Sequence, residues 1–144
     1  MNADLAMQRA LDRMHKVGFE NLSERDKTLA CIWSFDSKVS NGGLKHFFKS
    51  AEGVLAYYVP QAFRTLGLVQ LADVAERANA VFGPAGVPTE RSRRTEILRD
   101  LPADCLGVFD ELEARYFNDP TELNDPVEKY LNKMHALSES SDES

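Results

Sequence analysis

Asp36 is the sharpest chemical anomaly in this chain. On a helical wheel it falls among Leu29, Ile32, Trp33 and Val39, within an otherwise apolar face. An isolated buried carboxylate is very costly, so this one must be paired or hydrogen-bonded. It lies one to two turns before Gly42 and Gly43. The backbone N–H groups of that turn, or of a helix starting after it, are ready donors. As a catalytic or ligand-binding acid Asp36 would need companions, and His46, Tyr57 and Tyr58 are the candidates. No second catalytic group accompanies it locally, so a turn-locking acceptor is the favoured reading. His15, His46 and His135 stand apart, with no His-x-x-x-His, His-Glu-x-x-His or Cys-x-x-Cys spacing, and neither a metal nor a cofactor is expected. Cys31 and Cys105 sit among apolar residues and read as buried thiols. Arg91, Arg93, Arg94 and Arg99 form a basic cluster with no Gly-rich phosphate loop beside it, which reads as a solvated helix face.

The stronger chemical signal is the distribution of charge. Residues 1–99 carry 14 Lys and Arg against 11 Asp and Glu, a net of +3, whereas residues 100–144 carry 3 against 12, a net of −9. The acidic excess points to a cationic partner or an acidic tail and argues against direct nucleic-acid binding through that third. Asp104, Asp110, Glu111 and Glu113 fall on one helical segment. Asp119, Glu122, Asp125 and Glu128 continue the charge into the next. Side chains one helical turn apart are about 5–6 Å apart, and duplex DNA presents one phosphate per roughly 3.4 Å of axis on each strand. Two carboxylate-bearing helices can therefore imitate a short phosphate row. An ordinary solubilising surface has the same composition.

The elements that must position these groups are helices throughout, since no segment sustains period-two alternation. Asn2 or Asp4 caps a first helix with Met7, Leu11, Met14 and Val17 on one face, ended by Gly18. Ser23-Glu24-Arg25-Asp26 resembles a capping box opening a helix to about Val39. Asn41-Gly42-Gly43 is a turn, and Leu44–Lys49 a short helix bearing Phe47 and Phe48, which read as core. Pro60 starts the next helix and Gly67 follows its end. Helices are then expected over 68–82, 89–99, 104–117 and 124–137, with Cys105, Val108, Phe109, Leu112 and Tyr116 inward in the penultimate one. Val127, Tyr130, Leu131, Met134 and Leu137 make one stripe in the last. The expectation is an all-α single domain of about seven to eight helices over 1–137, with a disordered acidic Ser/Glu/Asp tail over 138–144. No apolar run approaches the roughly 20 residues of a membrane helix, no signal peptide is read at the start, and the cytoplasm is the expected compartment.

Ile32-Trp33…Asp36…Val39-Ser40-Asn41-Gly42-Gly43 followed by Phe47-Phe48 resembles the signature of a bacterial DNA-mimic protein family. Leu66-Gly67 before an alanine-rich helix to Phe82-Gly83, Asp110…Tyr116-Phe117 and Tyr130-Leu131 match it in order and spacing. Members often carry a second Asn at the place of Ser40 and an aromatic at that of Leu44, which marks a divergent member. The resemblance implies an all-helical fold and admits a homodimer. It implies acidic side chains patterned like DNA phosphates that occupy the DNA-binding surface of a transcription factor. The expected function is that of a non-enzymatic acidic binding protein with a basic DNA-binding protein as partner. Its rivals are an immunity-like inhibitor of a basic toxin and a ligand-binding or enzymatic domain built on Asp36, His46 and Tyr57.

Overall fold

The computed structural model describes residues 2–142, with side chains through residue 137. Among them there is no strand, and the fold is the expected all-α domain. The helices are α1 (Ala3–Val17), α2 (Glu24–Lys49), α3 (Val59–Thr65), α4 (Val69–Ala80), α5 (Arg91–Arg99), α6 (Ala103–Asn118) and α7 (Asn124–Asp142), with 3-10 turns at Phe19–Asn21 and Ala51–Tyr57. The tail expected over 138–144 lies outside the residues whose side chains are described. No described helix is long and apolar enough to cross a membrane.

The local rules hold at the starts of α1, α2 and α3. Asn2 caps α1 by accepting from the Leu5 N–H at 3.0 Å, and Pro60 occupies the first turn of α3. Ser23 caps α2 by accepting from the Asp26 N–H at 3.1 Å. Asp26 does not reach back to complete a capping box. It is buried and accepts instead from Arg13 at 2.6 Å and Arg25 at 3.2 Å. The face of α1 differs from expectation: Ala3, Ala6, Met7 and Ala10 are buried, whereas Val17 is exposed. Small side chains let α1 lie close along α2, which is its main neighbour.

The central helix is α2. Leu29, Ala30, Cys31, Ile32, Phe35 and Val39 are buried along it, and burial pushes the Cys31 thiol far up. Cys105 is only half-buried, so the expectation of two buried thiols holds for Cys31 alone. Helical backbone continues through Asn41 and Gly42, and the break falls on Gly43 alone, at φ 83° and ψ −176°. A glycine-only conformation at one residue, rather than a turn of three, separates the two parts of α2. Beyond it Phe47 and Phe48 are fully buried, as expected. Phe35 packs edge-on against Phe47 at 5.0 Å, Phe63 at 5.6 Å and Tyr116 at 5.5 Å, while Phe48 meets Phe82 at 4.9 Å and Phe109 at 5.8 Å. Such pairs add about 0.5–1.5 kcal/mol each beyond area burial.

The basic cluster is a solvated face at Arg91, Arg93 and Arg99, as expected, but not at Arg94. Arg94 is 1% exposed. Its Nε donates to the Phe48 carbonyl at 2.8 Å and its Nη2 to that of Ser50 at 2.9 Å, while Nη1 donates to Pro88 and Thr89 at 3.0 and 2.8 Å. Arg91 donates to the Lys49 carbonyl at 2.6 Å. The two arginines thus satisfy the Phe48 and Lys49 carbonyls in the last turn of α2, and Arg94 shares the Ser50 carbonyl with the Gly53 N–H at 3.1 Å. Gly53 makes room for this, because a Cβ there would stand 2.7 Å from the Phe48 carbonyl and 2.8 Å from Arg94 Nε.

Candidate functional site

Between residues 103 and 128 the chain carries eight carboxylates, all those singled out above, and one base, Arg115. Phe109, Leu112 and Tyr116 are buried at spacings of three and four, which fixes the inner face of α6 and turns Asp104, Asp110 and Glu111 to solvent. Val108, expected inward, is 39% exposed at the edge of that face. Asp104 stands in the first turn of α6 and Asp125 in that of α7, where the helix dipole favours negative charge. Glu122, Asp125 and Glu128 are also exposed. Among the described residues none of these six makes an ion pair or accepts a side-chain hydrogen bond. Arg115 does not neutralise them: it pairs at 3.1 Å with Asp73, which also accepts from Arg77 at 2.8 Å. Arg77 first, and Arg115 with it, hold the Asp73 carboxyl below its usual value.

The other two acids have structural work. Asp119 is half-buried and accepts from the Thr121 N–H at 2.9 Å, shaping the α6–α7 connection. Glu113 is half-buried and accepts from the Leu44 N–H at 2.7 Å. That N–H is the first donor after the Gly43 break, so the turn-locking acceptor is Glu113, 69 residues away, and not Asp36. A Cβ on Gly43 would overlap the same carboxylate. The acids do not sit on a packed helix pair: α6 packs on α4 and α2, whereas α7 packs on α1. They follow the chain from α6 through 119–123 into the first turns of α7.

Asp36 is half-buried and accepts from the Tyr116 hydroxyl at 2.5 Å. Burial, and after it the charge of Asp36, push the Tyr116 phenol far above its usual range. Asp36, Ser40, Tyr116 and Asp119 border a small cavity of about 160 Å3. His46 and Tyr57 do not join them. His46 is exposed, and the Tyr57 hydroxyl donates to Glu20 at 3.1 Å. Tyr58 donates at 2.8 Å to Glu24 in the first turn of α2, twelve residues and so about 18 Å of helix before Asp36. The aromatic pair at 57–58 packs on Phe19 instead, with Phe19–Tyr58 at 5.3 Å. Among the described residues no group of three or more His, Cys, Asp and Glu is placed to hold a metal ion.

Local pattern had no means of showing that Asp73 takes Arg115 out of the acidic stretch, or that Glu113 belongs to the Gly43 break. Both depend on partners far along the chain. A family model described as DMP19-like protein matches residues 20–134. No curated protein and no solved structure matches the chain.

Proposed function

We propose that this chain, which belongs to the DMP19-like protein family, is a non-enzymatic binding protein whose acidic surface stands in for DNA toward a basic DNA-binding protein. The observation that carries the reading is the set of six exposed carboxylates that make no ion pair among the described residues, Asp104, Asp110, Glu111, Glu122, Asp125 and Glu128, with Lys129 and Lys133 following them on α7. Asp104 and Glu111 lie two turns apart on α6, about 10.5 Å along its axis, close to three phosphate steps of about 3.4 Å. Asp110 stands beside Glu111. Exposed carboxylates at this density attract a basic groove-binding surface by the same long-range field that draws it to DNA. Glu113 and Asp119 hold the scaffold and leave the contact set. The cytoplasm, where such partners act, and a homodimeric state belong to the same reading, the latter measurable by light scattering.

The test is affinity capture from the native host, with bound proteins released by graded salt and, in a parallel arm, by duplex DNA. The expected result is a DNA-binding protein that both treatments release, and that a D104N/D110N/E111Q variant fails to hold. Capture indifferent to salt, to DNA and to these three changes refutes the reading. A captured basic toxin that DNA does not displace replaces it with an immunity role.

A further inference from the structure

A cavity larger than the one at Asp36 lies away from it. It is an open groove of about 850 Å3 between the α3–α4 turn and α7, at the upper end of the volumes of small-molecule sites. Its origin is in the apolar stripe of α7. Val127 and Leu131 are 0% and 1% exposed, on the helix that packs against α1. Pro126, Tyr130 and Met134 are spaced four apart on the adjoining edge of the stripe, only half-buried, and line the groove together with Leu66 and Leu68. An amphipathic helix whose apolar arc is wider than its buried seam has a face prepared for another neighbour. The line from Pro126 to Met134 is about 12 Å long.

Charge on the rim says what the neighbour is. Glu122 and Asp125 stand at one end, and Lys129 and Lys133 follow one and two turns along α7. All four are exposed, with no ion pair among the described residues. Nucleic acid and anionic membrane would meet repulsion at the acidic end. An amphipathic helix laid into the groove meets the three-residue ladder with apolar anchors at its own three- and four-residue spacing. It satisfies both rim signs if it carries bases at one end and acids beside them.

We propose that this groove docks an amphipathic helical segment of a partner protein, apolar face down, with basic side chains over Glu122 and Asp125 and acidic ones over Lys129 and Lys133. The groove shares those two carboxylates with the acidic surface but does not depend on its mimicry. The probe is a labelled synthetic helix of about 14 residues, about 21 Å long, with leucines three and four apart, arginines at one end and glutamates in the following turns. A control peptide has the two charge groups exchanged. Anisotropy titrations against the full chain are expected to give saturable binding of the matched peptide about tenfold tighter than the control, the sum of several exposed ion pairs. K129E/K133E, both on exposed positions, is expected to reverse that preference, and M134D to abolish binding of both peptides. D110N/E111Q is expected to leave the peptide result unchanged, so loss of DNA-mimic activity and loss of the groove are read separately. Equal binding of the two peptides, no saturable binding, a preference that survives K129E/K133E, or NMR shift changes centred away from α7 and 65–68 would each overturn the proposal.

Discussion

Replacing Gly43 by alanine tests the link between the break in α2 and the acid of α6. Two costs add. Gly43 sits at φ 83° and ψ −176°, a region open essentially to glycine alone, and holding another residue there costs about 1–3 kcal/mol. The new methyl also overlaps the Glu113 carboxylate, so that side chain must swing away and leave the Leu44 N–H without its acceptor. Leu44 is 0% exposed, and a buried donor without a partner costs about 1–3 kcal/mol. Gly43→Ala is therefore expected to lose about 2–6 kcal/mol, against a total of about 5–15 kcal/mol for a domain of this kind, and to lower Tm by roughly 5–20 °C. The assay is urea unfolding of Gly43→Ala, Glu113→Ala and the double variant. In the double variant the methyl meets no carboxylate and the Leu44 bond is lost only once. Its cost should therefore fall about 1–3 kcal/mol short of the sum of the singles. A Gly43→Ala loss below about 0.5 kcal/mol, or costs that add to within that margin, would refute the reasoning.

Glu113→Gln keeps a carbonyl oxygen able to accept from Leu44 and should unfold within about 1 kcal/mol of the parent, where Glu113→Ala does not; equal losses on urea unfolding would point to charge rather than the hydrogen bond. D104N/D110N/E111Q should leave stability within about 0.5 kcal/mol per site by thermal melting, since none of the three has a side-chain partner among the described residues. Arg94→Lys should destabilise by more than about 3 kcal/mol, because an ammonium cannot span four carbonyls held by a planar fork; a melting point near the parent's would show that those bonds are replaceable. Tyr116, held neutral by burial and by Asp36, has a folded pKa above its unfolded one. Its contribution is complete below the unfolded value of about 10 and is lost as pH rises above it. In urea unfolding across pH 9–11, Tyr116→Phe should lower stability at neutral pH and flatten the alkaline decline by up to about 1.4 kcal/mol per pH unit; an unchanged slope would mean that Tyr116 ionises as freely folded as unfolded.

The helical architecture was legible because its determinants are local. Asn2 and Ser23 as caps, Pro60 in a first turn and the apolar stripes of α6 and α7 act within a turn or two of themselves. The acidic stretch was equally legible, since charge needs only counting. What escaped were the choices between equivalent local partners. Asp36 had a plausible donor at the nearby turn, yet Tyr116, 80 residues on, takes it, and the turn goes to Glu113. Arg94 looked like one of four solvated arginines because nothing near it announces the carbonyls at the end of α2. Likewise, a single glycine breaks α2 where a turn of three residues was expected: Gly42 is helical, and only Gly43 departs.

The segment from Leu44 to Lys49 is pinned at both ends by side chains that come much later in the chain, Glu113 at its start and Arg94 at its finish. A helix of that length does not sustain itself in water. During synthesis, then, the stretch bearing Phe47 and Phe48 has no lasting shape until residue 94 has been made and no complete one until residue 113 follows. Phe48 gains its ring neighbours Phe82 and Phe109 only once those residues have been made, and the helix that carries Asp104, Asp110 and Glu111 also supplies, in Glu113, the acceptor that completes the break at Gly43.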